Sequence, residues 1–323
     1  MNLRQLDSSE IKISPVGLGC WQFSQGKSMV GKFWGVLTQE TINSIVKVSL
    51  ENGINWFDTA EAYGGGQSEQ SLAIALKNAS VKPQEAIVAT KWMPAMRFAS
   101  SITNTIDTRL QKLDGYPISL YQIHNPMSFS SVETQMNAMA ALVHEKKIKA
   151  VGVSNFDLEQ MRRANETLRK LGLSLASNQM RFNMLDRRIE KNGVLEYARD
   201  NQITIIAYSP LAQGILTGKF HENPDLIKSR PGFRRFMPGF QKAGIQKTQP
   251  LINELKAMAD RYKVSIAQVA LNWAINFHGD LIVVIPGASN VKQAQENAGV
   301  MKFTLTKDEM NKLDKISCEV IDA

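Results

Sequence analysis

Three successive apolar segments of this sequence finish on ionisable side chains: the carboxylic acid Asp58, the amine Lys91 and the imidazole His124. An apolar strand has no structural need to end in this way, so the repetition indicates that the three side chains share one polar site. Such groups can transfer protons to and from a substrate, and a lysine at a strand end can also form a Schiff base with a carbonyl compound. Alternatively, Asp58 and Lys91 form an ordinary buried ion pair.

The residue types do not indicate a metal centre. The four histidines show no ligand spacing, and the two cysteines, Cys20 and Cys318, lie near opposite ends of the sequence. So few cysteines also exclude a disulfide framework and predict a reducing compartment, the cytoplasm.

The elements that must position these residues follow a regular order. Short runs rich in Val, Ile and aromatic residues alternate with amphipathic stretches of helical period, which is typical of repeated βα units. The pattern predicts strands at residues 16–21, 54–59, 86–91, 119–124, 150–154, 173–179, 204–209 and 281–286. It predicts helices at residues 39–52, 68–77, 102–113, 131–145, 158–171, 189–201, 250–262, 266–277 and 307–316.

Eight strands in one repeating order favour an α/β fold of the closed (β/α)8 type, a TIM barrel, although an open doubly wound sheet can also carry eight parallel strands. Functional residues in a barrel gather at the carboxyl ends of its strands, where this sequence is polar. An open Rossmann sheet would need a third glycine after Gly17 and Gly19, but Gln22 stands in its place. We therefore predict one barrel domain over residues 1–323.

Two segments interrupt the repeat. Residues 3–14 resemble a short β-hairpin, which would cap the bottom of the barrel. Residues 219–247, between the seventh and eighth strands, form a long insertion that contains Pro, Gly and Arg. A loop of that length in a compact domain is usually a binding lid or a mobile insertion.

The charge and hydropathy of the chain exclude some functions and leave others open. A net charge of +8 and a pI of about 9.4 suit an anionic partner. However, the basic residues are scattered without interleaved aromatic residues, which argues against nucleic acid. No run of 18 apolar residues and no apolar signal-peptide core occurs, so we expect no membrane segment and a cytoplasmic protein.

Six sequence blocks together carry a resemblance to a known family. They read NWFDTAEAYG at 55–64, ATKW at 89–92, QIHNP at 122–126, GVSNF at 152–156, YSPL at 208–211 and IPGASN at 285–290. In this order they resemble the aldo-keto reductases, in particular the branch of bacterial reductases and voltage-gated potassium channel β subunits. Related positions extend from residue 17 to residue 297, so the resemblance covers nearly the whole chain.

The resemblance implies an NADPH-dependent reduction of small aldehydes or ketones to alcohols, with Asp58, Tyr63, Lys91 and His124 as catalytic residues. Hydride arrival at a carbonyl carbon leaves negative charge on oxygen, so an acid must deliver a proton. Tyr63 would be this acid. Lys91, held by Asp58, would lower the pKa of the phenol, and His124 would orient the carbonyl oxygen.

The resemblance also implies a cofactor site at the strand ends. Tyr208 would stack on the nicotinamide, and the helix that begins near Asn290 would offer free N–H groups to a phosphate. The implied cofactor residues are Cys20, Trp21, Asp58, Ser154, Asn155, Gln179, Tyr208, Ser209, Pro210, Leu211, Ala212, Gln213, Gly214, Lys219, Arg230, Gly287, Ala288, Ser289, Gln293, Glu296 and Asn297.

One part of that site departs from the best-known mammalian reductases, which hold the 2′-phosphate of NADPH with a lysine and an arginine after the eighth strand. Gly287 and Gln293 occupy these positions here. We therefore predict that the basic insertion supplies the missing cation, from Lys219, Arg230 or Arg234. The alternative is that these arginines form only a solvated lid face.

The resemblance leaves a rival function open. A relative of the channel β subunits would bind the cofactor as a redox sensor and act as a regulatory subunit of a membrane partner. Those subunits carry Asn at the position of His124, so the histidine favours a working reductase. Trp21, Trp34, Trp92 and Phe129 could wall an apolar substrate pocket, and the positive charge suggests phosphorylated or carboxylated carbonyl compounds.

Overall fold

The computed structural model describes residues 3–6, 9–27, 35–228 and 236–322. Eight strands form one parallel sheet in sequential order. They are β3 (Leu18–Gly19), β4 (Trp56–Asp58), β5 (Ile87–Trp92), β6 (Ile118–Ile123), β7 (Ile148–Ser154), β8 (Leu175–Arg181), β9 (Thr204–Tyr208) and β10 (Ile282–Val284). Two shorter strands, β1 (Arg4–Gln5) and β2 (Lys12–Ile13), form an antiparallel pair.

Helices connect and follow the strands. They are α1 (Gln39–Glu51), α2 (Gln67–Asn78), α3 (Ser100–Lys112), α4 (Val132–His144), α5 (Leu158–Lys170), α6 (Val194–Asp200), α7 (Lys219–Glu222), α8 (Lys242–Tyr262), α9 (Ile266–Asn276), α10 (Val291–Gly299) and α11 (Lys307–Asp322). This alternation confirms the predicted βα repeat.

The first and last strands of the sheet join, and this closes the barrel. The backbone N–H of Gly17 donates to the carbonyl of Val284 at 2.8 Å, and that of Gly19 donates to the carbonyl of Pro286 at 3.1 Å. A side chain on residue 19 would not fit, because its Cβ would lie 2.7 Å from the carbonyl oxygen of Ile285. The (β/α)8 prediction is confirmed, and an open sheet is excluded.

The barrel interior is divided into an apolar layer and a polar layer. Successive side chains of a strand point to opposite faces, so every second side chain lies inside the barrel. The apolar layer includes Trp56, Ala89, Leu120, Ile206 and Val283. Two residues farther along three of these strands, and so on the same face, lie Asp58, Lys91 and Gln122. The polar side chains therefore form a second layer inside the barrel, nearer to the carboxyl ends of the strands than the apolar layer.

The predicted hairpin is present and closes the opposite end. Leu6 and Ile13 pack against the apolar layer. Arg4 is buried and forms an ion pair with Asp280 at 3.1 Å. Its guanidinium also donates to the carbonyl of Ile275 at 2.5 Å, so the hairpin is fixed to the elements around β10.

Some element boundaries differ from the prediction. Helix α8 begins at Lys242 and contains Pro250, whereas the prediction began the helix at that proline. Proline interrupts the helical hydrogen bonding, but Phe240 and Ile245 pack into a local apolar cluster that supports the preceding turns. The described part of the insertion is therefore more ordered than a loop. Among the described residues, no helix is long and apolar enough to cross a membrane.

Candidate active site

Asp58 and Lys91 form an ion pair in the polar layer of the barrel. The ammonium of Lys91 lies 2.5 Å from Asp58 Oδ1 and donates to the backbone carbonyl of Thr59 at 2.9 Å. Lys91 is 0 % exposed and Asp58 is 1 % exposed. Two charges at this depth are tolerated only when each compensates the other, so the pair must form as a unit.

Two buried glutamines complete the surroundings of Asp58. Its second oxygen, Oδ2, accepts from Gln179 Nε2 at 2.9 Å and from Gln122 Nε2 at 3.2 Å. The carboxylate is therefore held from three strands, β5, β6 and β8. Gln122 was not predicted from the sequence; the signal that could have identified it is its place two residues after Leu120, on the inward face of an apolar strand.

Tyr63 lies in the turn after β4 and contacts two of the other predicted catalytic residues, Lys91 and His124. The Lys91 ammonium is 5.1 Å from the centre of its ring. The rings of Tyr63 and His124 meet edge to face at 5.6 Å, and Trp21 stacks on Tyr63 at 5.9 Å. The structure therefore brings Asp58, Tyr63, Lys91 and His124 together.

Burial and charge set the protonation of these groups. Burial raises the pKa of Tyr63; Lys91 lowers it, as expected, but the net pKa lies above the ordinary value and not below it. Burial opposes the charge of Lys91, yet Asp58 and Tyr63 together raise its pKa. Burial, and then Lys91, lower the pKa of His124 to about 3, so its imidazole is neutral at pH 7.

Cys20 lies beside the ion pair but is not a reactive thiol. Its side chain is buried, and Sγ donates to the carbonyl of Leu18 at 3.4 Å. Burial, and then the charge of Asp58, raise the pKa of the thiol well above its ordinary value. A protonated, inaccessible thiol is inert, so Cys20 acts as a small apolar residue here.

The residues predicted to hold a nicotinamide form one hydrogen-bonded chain across β7, β8 and β9. Ser154 Oγ donates to the carbonyl of Gln179 at 3.0 Å, and Asn155 Nδ2 donates to Ser154 Oγ at 3.0 Å. The hydroxyl of Tyr208 donates to Asn155 Oδ1 at 2.9 Å. The Gln179 amide, however, donates to Asp58, so it is already engaged within the polar layer.

The loop after β9 has a backbone shape that suits an anion. Ser209, Ala212, Gln213 and Gly214 all have positive φ, between 47° and 106°. Such turns can direct N–H groups into a concavity that binds a phosphate, and they cost strain in residues other than glycine. Here the N–H groups of Ala212 and Gly214 already donate to the carbonyls of Ser209 and Leu211, so only the other N–H groups of the turn remain for a ligand. Gln213 Oε1 is buried without a hydrogen-bond partner among the described residues.

The other predicted residues of this loop are close by. Pro210 is buried and Leu211 packs against the core. The ammonium of Lys219 lies 4.9 Å from the ring of Phe220 and would be 3.4 Å from a Cβ on Gly214, which places it beside the positive-φ turn. Arg230, Arg234 and Trp34 lie outside the described residues.

The start of α10 gathers the residues predicted for the adenosine end. Ser289 donates through its N–H and its hydroxyl to Gln293 Oε1, at 2.8 and 2.9 Å. Asn297 Nδ2 donates to the carbonyl of Gly287 at 3.3 Å, and Asn290 caps the helix by accepting the Gln293 N–H at 2.9 Å. Fewer N–H groups are thus free at the start of α10 than we expect from the sequence.

Three further residues complete this end of the site. Ala288 is buried, and Glu296 lies 3.9 Å from Lys292. A Cβ on residue 287 would lie 2.2 Å from the Gln22 side chain. The glycine that stands here in place of a lysine therefore leaves space for the Gln22 amide. Gln22 Oε1 has no partner among the described residues. These groups fit a polar ligand such as a dinucleotide.

Comparison with known proteins identifies the family. The model of the aldo/keto reductase family matches residues 15–317. The chain belongs to this family. As an aldo/keto reductase it is similar to an uncharacterized oxidoreductase of Mycobacterium bovis, at 35 % identity over 94 % of this chain and 90 % of the relative. It is also similar to aldo-keto reductase YhdN of Bacillus subtilis, at 30 % identity over 98 % of this chain and 93 % of the relative.

A solved structure agrees with the fold of this aldo/keto reductase. The glycerol dehydrogenase of Gluconobacter oxydans is 26 % identical, with a TM-score of 0.83, and the match covers 99 % of this chain and 96 % of that one. The recognition from sequence is confirmed, and the chain is an oxidoreductase. No cluster of His, Cys, Asp and Glu suited to a metal ion occurs among the residues that the structure describes.

Proposed function

We propose that this chain is an NADPH-dependent oxidoreductase that reduces aldehydes or ketones to alcohols, with Tyr63 as the proton donor. One observation carries the proposal. The charged Lys91 is fully buried between Asp58 and the Tyr63 ring. A structural ion pair would not require a tyrosine, a neutral histidine and an aromatic wall around the same ammonium.

The roles of the residues follow from their protonation. A bound reduced nicotinamide supplies a hydride to the carbonyl carbon. The Tyr63 hydroxyl delivers the proton to the carbonyl oxygen, and the Lys91 ammonium stabilises the phenolate that remains until solvent returns a proton. His124, neutral at pH 7, holds the carbonyl oxygen by a hydrogen bond.

Asp58 acts through Lys91. Because its two oxygens accept from Lys91, Gln122 and Gln179, the carboxylate keeps the ammonium charged and fixed in direction. The raised pKa of Tyr63 is consistent with a proton that is retained until charge develops on the substrate oxygen.

The proposed cofactor site supports NADPH as the hydride source. The positive-φ turn beside Lys219 suits the pyrophosphate. The hydrogen-bonded side chains of Ser154, Asn155 and Tyr208 suit the nicotinamide. The preference for NADPH over NADH rests on the basic insertion. Two free cysteines suit a reducing environment, so we place the reaction in the cytoplasm.

The deciding experiment follows NADPH consumption with 4-nitrobenzaldehyde, together with a titration of NADPH binding by tryptophan fluorescence. Steady consumption and stoichiometric alcohol formation are expected. Binding of NADPH without turnover on a panel of aldehydes and ketones would favour the alternative of a regulatory subunit like the channel β subunits. Trapping of a carbonyl substrate on Lys91 by borohydride would favour a Schiff-base enzyme.

A further inference from the structure

Arg181 points into the mouth of the barrel. It ends β8 two residues after Gln179, whose side chain reaches Asp58 inside the barrel. Because strand residues i and i+2 share a face, Arg181 lies on the same inward face, one layer nearer to the opening. Its strand neighbour in register is Tyr208, which belongs to the proposed nicotinamide site.

A cavity of about 260 Å³ opens at this place. Arg181, Arg188 and Asn192 line it from β8 and the segment that follows, and Asn155 and Tyr208 line it from the neighbouring strand ends. The cavity therefore combines two guanidinium groups with two side-chain amides and a phenol, and it shares Asn155 and Tyr208 with the proposed cofactor site.

The charges at this cavity are unbalanced. Asp186 binds Arg188 through two hydrogen bonds of 2.8 Å each, while Arg181 lies 3.9 Å from the same carboxylate. One carboxylate thus serves two guanidiniums. Among the described residues, the guanidinium of Arg181 has no hydrogen-bond partner within normal distance, and 33 % of the side chain is exposed. Its nitrogen atoms are not buried, so they can donate to a ligand in the cavity.

We propose that Arg181 is the centre of a binding site for an anionic group, a carboxylate or a phosphate, carried by the carbonyl substrate. The inference rests on the proposed function and specifies its substrate class. The planar guanidinium matches these groups with two parallel hydrogen bonds. The segments proposed for the cofactor phosphates follow β9 and β10, whereas Arg181 ends β8 and Arg188 lies after it, so we assign the anion to the substrate.

The test compares 4-carboxybenzaldehyde with its neutral methyl ester in the wild type and in Arg181→Met, which keeps much of the length and removes the charge. We expect kcat/KM for the acid to fall roughly 10- to 100-fold, mainly through KM, as for the loss of one charged hydrogen bond. The ester and the dissociation constant of NADPH should be unchanged, and Arg181→Lys should recover part of the loss.

Arg169→Met, on the exposed face of α5, is the matched control for net charge, and both substrates should behave as in the wild type. Equal losses on acid and ester would overturn the proposal in favour of a structural role. If Arg181→Met binds NADPH more weakly but keeps the wild-type ratio of kcat/KM for the acid to kcat/KM for the ester, the anion belongs to the cofactor.

Two further measurements separate this inference from the proposed function. Reduction of the ester by the wild type establishes the carbonyl reductase activity, independently of the result with Arg181→Met. Calorimetric titration with benzoate requires no turnover, and its affinity should fall by the same factor in Arg181→Met. Equal benzoate affinity in the wild type and Arg181→Met would exclude an anion site at Arg181. A full loss of benzoate affinity in Arg169→Met would exclude it as well.

Discussion

The amide of Gln179 donates to the carboxylate of Asp58 at 2.9 Å, so a residue expected to face the cofactor also fixes the catalytic ion pair. The same contact ties β8 to β4 across the barrel. A change in the cofactor site can therefore affect Lys91 through its contacts with Asp58 and, from there, with Gln179. Gln122 provides a second contact to Asp58 at 3.2 Å.

Replacing Tyr63 by Phe should abolish the proton donor and keep the site's shape, because the ring contacts with Trp21 and His124 remain. We expect turnover to fall by about 10²- to 10⁴-fold, the usual contribution of an acid, with NADPH affinity unchanged. Single-turnover kinetics and fluorescence titration measure the two quantities. A loss below tenfold would remove Tyr63 as the acid.

Replacing Lys91 by Met should inactivate the enzyme and also destabilise the fold, because the buried Asp58 loses its counter-charge. Breaking a buried pair costs about 3 to 5 kcal/mol of unfolding free energy. The control is Lys91→Met combined with Asp58→Asn, which removes both charges and should recover much of the stability but no activity. Urea unfolding and NADPH oxidation distinguish the outcomes, and wild-type rates in the single variant would contradict the Tyr63–Lys91 coupling.

The sequence could predict the barrel and the strand-end residues because short apolar runs that alternate with amphipathic helical stretches are local signals. Asp58, Lys91 and His124 finish strands that are otherwise apolar, and that contrast is visible without a structure. Gln122 was missed because its signal, an uncharged amide two residues after the inward-facing Leu120, is weaker than that of an ionisable residue at a strand end. The balance of pKa shifts on Tyr63 was also inaccessible, since burial, which outweighs the nearby ammonium, depends on the whole assembled barrel.

His124 should not titrate in the pH range where enzymes are usually assayed. Its pKa is lowered from 6.5 to about 3, so the neutral imidazole is present from mildly acidic to alkaline pH. The profile of kcat/KM for reduction should therefore lack an acid limb near the ordinary histidine pKa. His124→Asn retains a hydrogen-bond donor and should lower kcat without changing the profile. An acid limb near neutrality that disappears in His124→Asn would contradict a neutral histidine.

The basic insertion should decide between NADPH and NADH. Gly287 and Gln293 offer no cation to a 2′-phosphate, whereas Arg230 lies in the insertion that begins at Lys219. Arg230→Ala should weaken NADPH binding roughly 10- to 100-fold, as expected for one charged hydrogen bond, and spare NADH. Dissociation constants for both cofactors test this. Equal weakening would mean that the arginine contacts the shared pyrophosphate or orders the insertion.

Glu69 should make the stability of the protein depend on pH in the neutral range. The side chain is 0 % exposed, and burial raises its pKa from 4.5 to about 7, against the opposing effects of Arg109 at 3.1 Å and of Thr90 at 2.6 Å. The folded state thus binds the proton more tightly than the unfolded state. The resulting stabilisation is fully present below about pH 4.5 and is lost as pH rises through about 7.

The size of that change is at most roughly 3.5 kcal/mol, from 1.4 kcal/mol per pKa unit. Glu69→Gln cannot titrate and can keep the contact with Thr90, so the unfolding free energy should depend less steeply on pH between about 4.5 and 7. The slope is the decisive quantity, because the substitution also removes the nearer ion-pair partner of Arg109 and leaves, among the described residues, the carboxylate of Glu61 at 3.7 Å. Glu166→Gln, on the exposed face of α5, should keep the wild-type slope. Urea unfolding at a series of pH values measures the slope, and equal slopes in wild type and Glu69→Gln would show that Glu69 is ionised throughout.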